Sequence, residues 1–265
     1  MLKLTKKCLP MAVAIFVISW YAPVSADMLT VEVTPHKSVV VLGEPVLISA
    51  TVANTGPEPV KLIHHNAPTL VRERWSVVDL KLGQGEAQPK RWSDELRELI
   101  EASHKFLPPG EIISVDLVML YNRENGFFAT TPGKYWIQGR IVIAPSPYVE
   151  ILTTPISIEV REPPRAERVV WQWLNEHKDV YGRLVQVPWE AKLSEEFVQE
   201  CDRICTETTS AYGEYLALFL SRWYREGPNK DAAKSQRFAE IAKAKASSEK
   251  VRTEAEKLLP QQASP

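Results

Sequence analysis

From Met28 to Val160 the chain alternates between apolar and polar residues. Leu29, Val31 and Val33 fall on one side of an extended segment and Thr30, Glu32 and Thr34 on the other, which is the two-residue period of a half-buried strand. Ile113, Val115, Leu117 and Met119 repeat the device against Ser114 and Asp116. So do Tyr135, Ile137, Ile141 and Ile143 against Gln138 and Arg140, and Ile156, Ile158 and Val160 against Ser157, Glu159 and Arg161. Further strands are expected over 46–52, 60–63 and 75–82. Asn54-Thr55-Gly56-Pro57, Pro108-Pro109-Gly110 and Thr131-Pro132-Gly133 supply turn residues between them, because each holds a residue tolerant of positive φ or one whose φ is preset. One stretch breaks the rhythm. Ser93 can cap a helix with Asp94 and Glu95 in its first turn and Leu96, Leu99 and Ile100 on one side, so a helical insertion is expected near 92–106. A parallel sheet would need helices between most strands, so residues 27–162 are expected to form an antiparallel β-sandwich with this insertion closing one end.

At Arg161-Glu162-Pro163-Pro164 the period changes. Prolines suit a linker followed by a helix start, and the pattern beyond them is helical. Tyr212, Tyr215, Leu216, Phe219, Leu220 and Trp223 form one apolar stripe at helical spacing. Gly227-Pro228-Asn229 ends that helix, a second carries Ala233, Ile241 and Ala242, and Ser247-Ser248 opens a third with Val251, Ala255 and Leu258. Residues 163–259 are therefore expected to form a C-terminal α-helical bundle, and 260–265 a loose tail.

Val41-Leu42-Gly43-Glu44-Pro45-Val46, then Ala50-Thr51-Val52-Ala53-Asn54-Thr55-Gly56 and Pro59-Val60-Lys61-Leu62, resemble the second and third strands of bacterial secreted immunoglobulin-like domains. Leu107-Pro108-Pro109-Gly110-Glu111 and Pro132-Gly133-Lys134-Tyr135-Trp136 resemble the later steps of such domains, including those of the bacterial proteinase-inhibitor type. The resemblance implies an immunoglobulin-like fold; the pattern serves many cell-surface modules and does not by itself imply inhibition. The helical region resembles a degenerate tetratricopeptide-like hairpin, without that motif's Trp-Leu-Gly-Tyr spacing and with fewer units than the roughly three a free-standing solenoid needs.

The first residues decide where such a protein works. Lys3, Lys6 and Lys7 precede an apolar run from Cys8 to Trp20, and Val24-Ser25-Ala26 offers small residues for cleavage. These are the parts of a signal peptide in order, and the run is shorter than the roughly 20 residues that span a hydrocarbon core. Residues 1–26 are thus expected to be removed, leaving no transmembrane anchor and a chain in the bacterial periplasm or outside the cell. The 265 residues are 45% apolar and 25% charged, with 32 basic and 33 acidic side chains. That composition predicts globular structure and gives no basic face for nucleic acid or a membrane surface.

Chemistry-bearing residues are few. Cys201 and Cys205 share one side of a helix with Leu193, Phe197, Val198 and Ile204. They read as two small core residues or, in an oxidising compartment, as a disulfide. A regular helix holds their Cβ atoms too far apart for a bridge without distortion. His64 and His65 follow a strand and would need a turn, with His104 as a third ligand, to chelate a metal; no metal or cofactor is expected. Trp171, Trp173 and Trp189 flank the linker and are expected to glue the first helix to the sandwich. No Gly-x-Ser-x-Gly elbow, His-Glu-x-x-His helix or phosphate-binding glycine loop occurs, so an uncharacterised hydrolase ranks last among the expected roles. The first is non-enzymatic binding or scaffolding, with a protein or peptide partner held at a sandwich edge or in a helical groove. The second is proteinase inhibition through the loop whose tip is Asn125, Gly126, Phe127 and Phe128.

Overall fold

The computed structural model describes residues 28–63, 65–66, 75–85, 104–122, 126–144, 149–207 and 210–260. The expected leader, most of the expected helical insertion, His64, Asn125 and the last five residues lie outside the described residues.

The strands are β1 (Leu29–Pro35), β2 (Val39–Val41), β3 (Val46–Asn54), β4 (Val60–Ile63), β5 (His65–Asn66), β6 (Trp75–Ser76), β7 (Asp79–Gln84), β8 (His104–Leu107), β9 (Ile112–Met119), β10 (Tyr121–Asn122), β11 (Gly126–Phe127), β12 (Gly133–Ala144), β13 (Val149–Leu152) and β14 (Ile156–Arg161). One sheet has the order β1-β3-β9. A larger one runs β2-β14-β12-β4-β8, with β7 and β13 also paired to β12. All pairs are antiparallel except β2 with β14, so the larger sheet is mixed, where the sequence predicts antiparallel pairing throughout. The short link after Pro35 carries the chain from the first sheet to the second, and β2 therefore enters beside β14 in the same direction. His104, Lys105 and Phe106, expected at the end of the inserted helix, are strand: β8 pairs with β4, His104 opposite Ile63 and Leu107 opposite Val60. Pairing with a buried neighbour strand overrides the local helical pattern there.

The two sheets share one apolar cluster. Ile48, Val52 and Leu117 of the smaller sheet meet Leu62, Ile137, Ile141 and Ile158 of the larger. Beyond Arg161 the described chain is helical: α1 (Arg168–Glu176), α2 (Lys178–Gln186), α3 (Glu195–Glu207), α4 (Gly213–Glu226), α5 (Ala232–Lys245) and α6 (Glu249–Glu256). α5 is capped by the Asp231 carboxylate accepting from Lys234 N, and α6 by the Ser248 hydroxyl accepting from Val251 N. α4 is the central helix. Its apolar stripe widens to a cylinder buried from Gly213 to Tyr224, on which α3 and α5 pack.

A second apolar cluster crosses the linker. Leu47 of β3, Val118 of β9, Leu120 and Phe127 pack with Leu174, Tyr181, Leu184, Leu216 and Phe219 of the helices. The smaller sheet is thus covered on both faces at its helix-side end, by the larger sheet through Ile48 and Leu117 and by the helices through Leu47 and Val118. Toward the other end of β3 the outward residues Thr51 and Ala53 are only partly covered.

Candidate functional site

The turn between β2 and β3 is the point on which the helices close. Glu44 N donates to Val41 O at 3.0 Å, closing a four-residue turn, and Gly43 takes its third position with φ 76°, a value that suits glycine. Three tyrosines are aimed at it. Tyr212 donates its hydroxyl to Leu42 O at 2.6 Å, Tyr181 to Gly43 O at 3.1 Å, and Tyr215 to the Glu44 carboxylate at 3.2 Å. Burial pushes all three hydroxyls well above the ordinary phenol pKa, so they stay protonated donors. Trp171 of α1 lies across Gly43, and its ring meets Phe127 at 5.1 Å.

An ionic cluster completes the clasp. Lys37, in the link before β2, places its ammonium between the carboxylates of Glu44 and Glu214, the latter at 2.8 Å. Burial works against the Lys37 charge, but the two carboxylates outweigh it and hold its pKa above the ordinary lysine value. Glu44 also accepts from Val41 N, and Glu214 from the backbone and hydroxyl of Ser247. Each anion is therefore shared by several donors, which is what a buried charge needs.

Beside it a polar string runs from sheet to helix. His36 Nε2 lies 2.8 Å from the Ser49 hydroxyl, which donates to Asp116 Oδ1 at 2.7 Å; Asp116 in turn pairs with Lys250 of α6. Lys250 also reaches Glu254, which pairs with Arg222 and Lys257. A histidine, a serine and an aspartate in contact invite comparison with a nucleophile and its base. The bonding has the opposite polarity. The single serine proton goes to the carboxylate, so His36 must donate to the serine oxygen rather than accept from it, whereas a general base accepts. Burial, and then Lys250, lower the His36 pKa. Burial alone would raise that of Asp116, but the hydrogen bonds from Lys250 and Ser49 prevail and lower it. The string is built as a strut with a neutral imidazole and an ionised carboxylate.

The residues that the sequence singles out are placed elsewhere than a shared site. Cys201 and Cys205 are free thiols, each 0% exposed, in the apolar cluster that α3 shares with α4. Phe127 is 6% exposed and packs on Trp171 and Tyr181, and Gly126 is paired with Asn122 in the β10–β11 ladder. The phenyl ring at the expected loop tip thus belongs to the seam with the helices. Phe128 is half-buried, its ring edge-on to Tyr135 at 6.3 Å. His65 lies in β5 and His104 in β8, and among the described residues no group of three or more metal-ligating side chains assembles. Of the tryptophans near the linker, Trp171 packs at the seam on Gly43 and Phe127, whereas Trp173 stacks on Phe197 of α3 at 5.0 Å, within the helical part. The tyrosine clasp was invisible in the sequence. Tyr212 and Tyr215 read as part of an apolar stripe and Tyr181 is not singled out; only the hydroxyls, each needing a partner once buried, hinted at more.

At the opposite end the surface changes character. Asn54, 1% exposed, ties the last turn of the smaller sheet to the larger: its side-chain amide donates to Glu58 O and Leu107 O, while its backbone bonds with Gly110 and Glu111. The turn so held, Pro108 to Glu111, joins β8 to β9, the outermost strands of their respective sheets among the described residues. Phe106 and Ile112, on either side of it, are each 64% exposed, and Pro108, Pro109 and Gly110 are exposed between them. Among the described residues no helix is long and apolar enough to cross a membrane.

No family model matches the chain, and no curated protein matches it. Among solved structures it is similar to a β-glucosidase from Erythrobacter marinus at 16% identity and a TM-score of 0.30, over 50% of this chain but only 15% of the enzyme. It is also similar to the CARDB domain of a Pyrococcus furiosus protein, at 16% identity and a TM-score of 0.28, covering 50% of this chain and 87% of the domain. The ASH / PapD-like domain of human CEP192 matches at 11% identity and a TM-score of 0.27, covering 62% of this chain and 99% of the domain. The likeness to these β-rich domains is weak and carries no activity across.

Proposed function

We propose that the chain is an exported, non-enzymatic binding protein. In this reading an immunoglobulin-like β-sandwich is braced at one end by a helical bundle, and it engages a protein or peptide partner at the other end, along the outer edges of β8 and β9, free among the described residues. The observation that carries the reading is the exposure of Phe106 and Ile112, 64% each, on strands that have a neighbour on one side only among the described residues. Edge strands offer unpaired backbone groups to an added strand, and apolar side chains beside them supply pockets or anchors. The helical groove is the weaker of the two expected surfaces, because the helices already spend their tyrosines and apolar faces on the β2–β3 turn and on Leu47 and Val118.

The test is site-specific. A photo-crosslinking residue at Lys105 should trap a partner in extract from the exporting cell, and Phe106→Ser with Ile112→Ser should cut that yield by about tenfold or more, the size expected for losing central apolar anchors, with the melting temperature unchanged. Equal trapping by the double variant would overturn the reading.

A further inference from the structure

We infer that Cys201 and Cys205 form a redox-sensitive folding checkpoint: a disulfide between them, made before α3 forms, bars the native helix, while docked α3 puts both thiols out of an oxidant's reach. The inference rests on the export reading only for where the oxidant is met. The chemistry belongs to the chain itself.

Geometry carries the first half. α3 runs unbroken from Glu195 to Glu207 with both thiols free. Residues four apart on a helix hold their Cβ atoms about 6 Å apart, and a disulfide needs about 3.5–4.5 Å. Bridging therefore unwinds about one helical turn. That turn holds Ile204 and follows Phe197, both in the cluster with Leu216 and Phe219 of α4, and it carries Asp202, whose carboxylate takes both arms of Arg237 of α5 at 2.8 and 2.9 Å. A bridged chain would give up the docking of α3 on both helices.

Burial carries the second half. Each cysteine is 0% exposed, and loss of solvent pushes the Cys201 thiol well above its ordinary value and that of Cys205 to about 12. The thiolate is the attacking species, so the folded protein has neither the population nor the access for exchange. In the unfolded chain both barriers vanish, and two thiols so close in sequence meet readily.

The oxidant is a small-molecule disulfide or a thiol–disulfide oxidoreductase. One cysteine thiolate attacks the oxidant's S–S bond, which breaks and releases one oxidant thiolate, leaving a mixed disulfide. The second cysteine thiolate attacks the protein sulfur of that intermediate and expels the other oxidant thiolate. The Cys201–Cys205 bond forms, two electrons pass to the oxidant, and the two thiol protons leave to solvent or to the released thiolates. A dithiol reductant runs the step backwards.

The full chain with Cys8→Ser, so that only these two thiols remain, tests it. With oxidised glutathione, the native protein should lose thiols at least about a hundredfold more slowly than the urea-unfolded protein, as reactivity limited by the thiolate fraction and access demands. Chain oxidised in urea should carry one internal bridge by mass, fail to regain its helical circular dichroism on dilution, and recover when dithiothreitol is added. Cys201→Ala with Cys205→Ala should refold equally well with or without oxidant. Equal oxidation rates for folded and unfolded protein, or a bridged chain that refolds to the native melting temperature, would overturn the inference. If the double alanine variant does not fold, the rate comparison on the two-thiol chain still decides it.

Discussion

Gly43 is held by two independent constraints. Its φ of 76° is costly for any residue with a Cβ, and a Cβ placed there would lie 2.0 Å from Cζ3 of Trp171. Neither can be relieved locally, because the turn is fixed by the Glu44 N to Val41 O bond and the ring is held by Phe127. Gly43→Ala should therefore destabilise the protein by about 3 kcal/mol or more, combining left-handed backbone strain with overpacking. Urea denaturation followed by tryptophan fluorescence would show it as a lower midpoint. Gly110, also at positive φ but with open space around its Cβ position, should suffer only the backbone part on substitution. Gly110 is legible in the sequence as a turn residue, while Gly43 enters the sequence only within a run that resembles immunoglobulin-like domains. What separates them is Trp171, which no local pattern brings to Gly43.

Single elements show where local pattern yields to local bonding. The alternation over 75–82 predicts one strand, yet β6 and β7 are separated at Val77 and Val78. The Ser76 hydroxyl donates to Val78 O and accepts from Val78 N, and this side chain to backbone bonding competes with the ladder. Elements also meet through groups that no period reveals. The string from His36 through Ser49 and Asp116 to Lys250 joins the β1–β2 link, β3, β9 and α6, and its titration has a definite sign. Both His36 and Asp116 have pKa values lowered in the folded state. In each case the unfolded chain binds the proton more readily, so stability is present above the unfolded value and is lost as pH falls through the folded one. For His36 the loss begins below about 6.5, the ordinary imidazole value, and for Asp116 below the ordinary carboxylate range. Unfolding free energies measured across pH should fall on acidification in two windows. His36→Gln, which keeps a donor for Ser49, should flatten the upper window, and Asp116→Asn the lower one.

At the scale of the whole molecule the sheets and helices share the cluster that contains Leu47, Val118, Leu120 and Phe127, and the half-buried Lys37 crosses the same seam to pair with buried Glu214. A chain ending at residue 162 would expose those four side chains and strand Lys37 and Asp116 without their helix partners. It is expected to be strongly destabilised or to aggregate, while the intact protein unfolds in one transition by fluorescence and circular dichroism alike. Two separated transitions, or a well-folded fragment, would contradict this.

Period alone determined that strands come first and helices after Pro164, since a two-residue alternation buries one face of a strand and a 3.6-residue spacing buries one stripe of a helix. The prolines and glycine at 108–110 also marked the β8–β9 turn. Tertiary structure alone decided that β2 runs parallel to β14, that His104 to Leu107 pair as strand, that Phe127 is buried in the seam, and that Tyr212 and Tyr215 of an apolar stripe join Tyr181 of another helix in gripping one turn. These outcomes depend on partners distant in the chain. A side chain's burial, charge state and hydrogen bonds are properties of what packs against it, which sequence spacing does not encode.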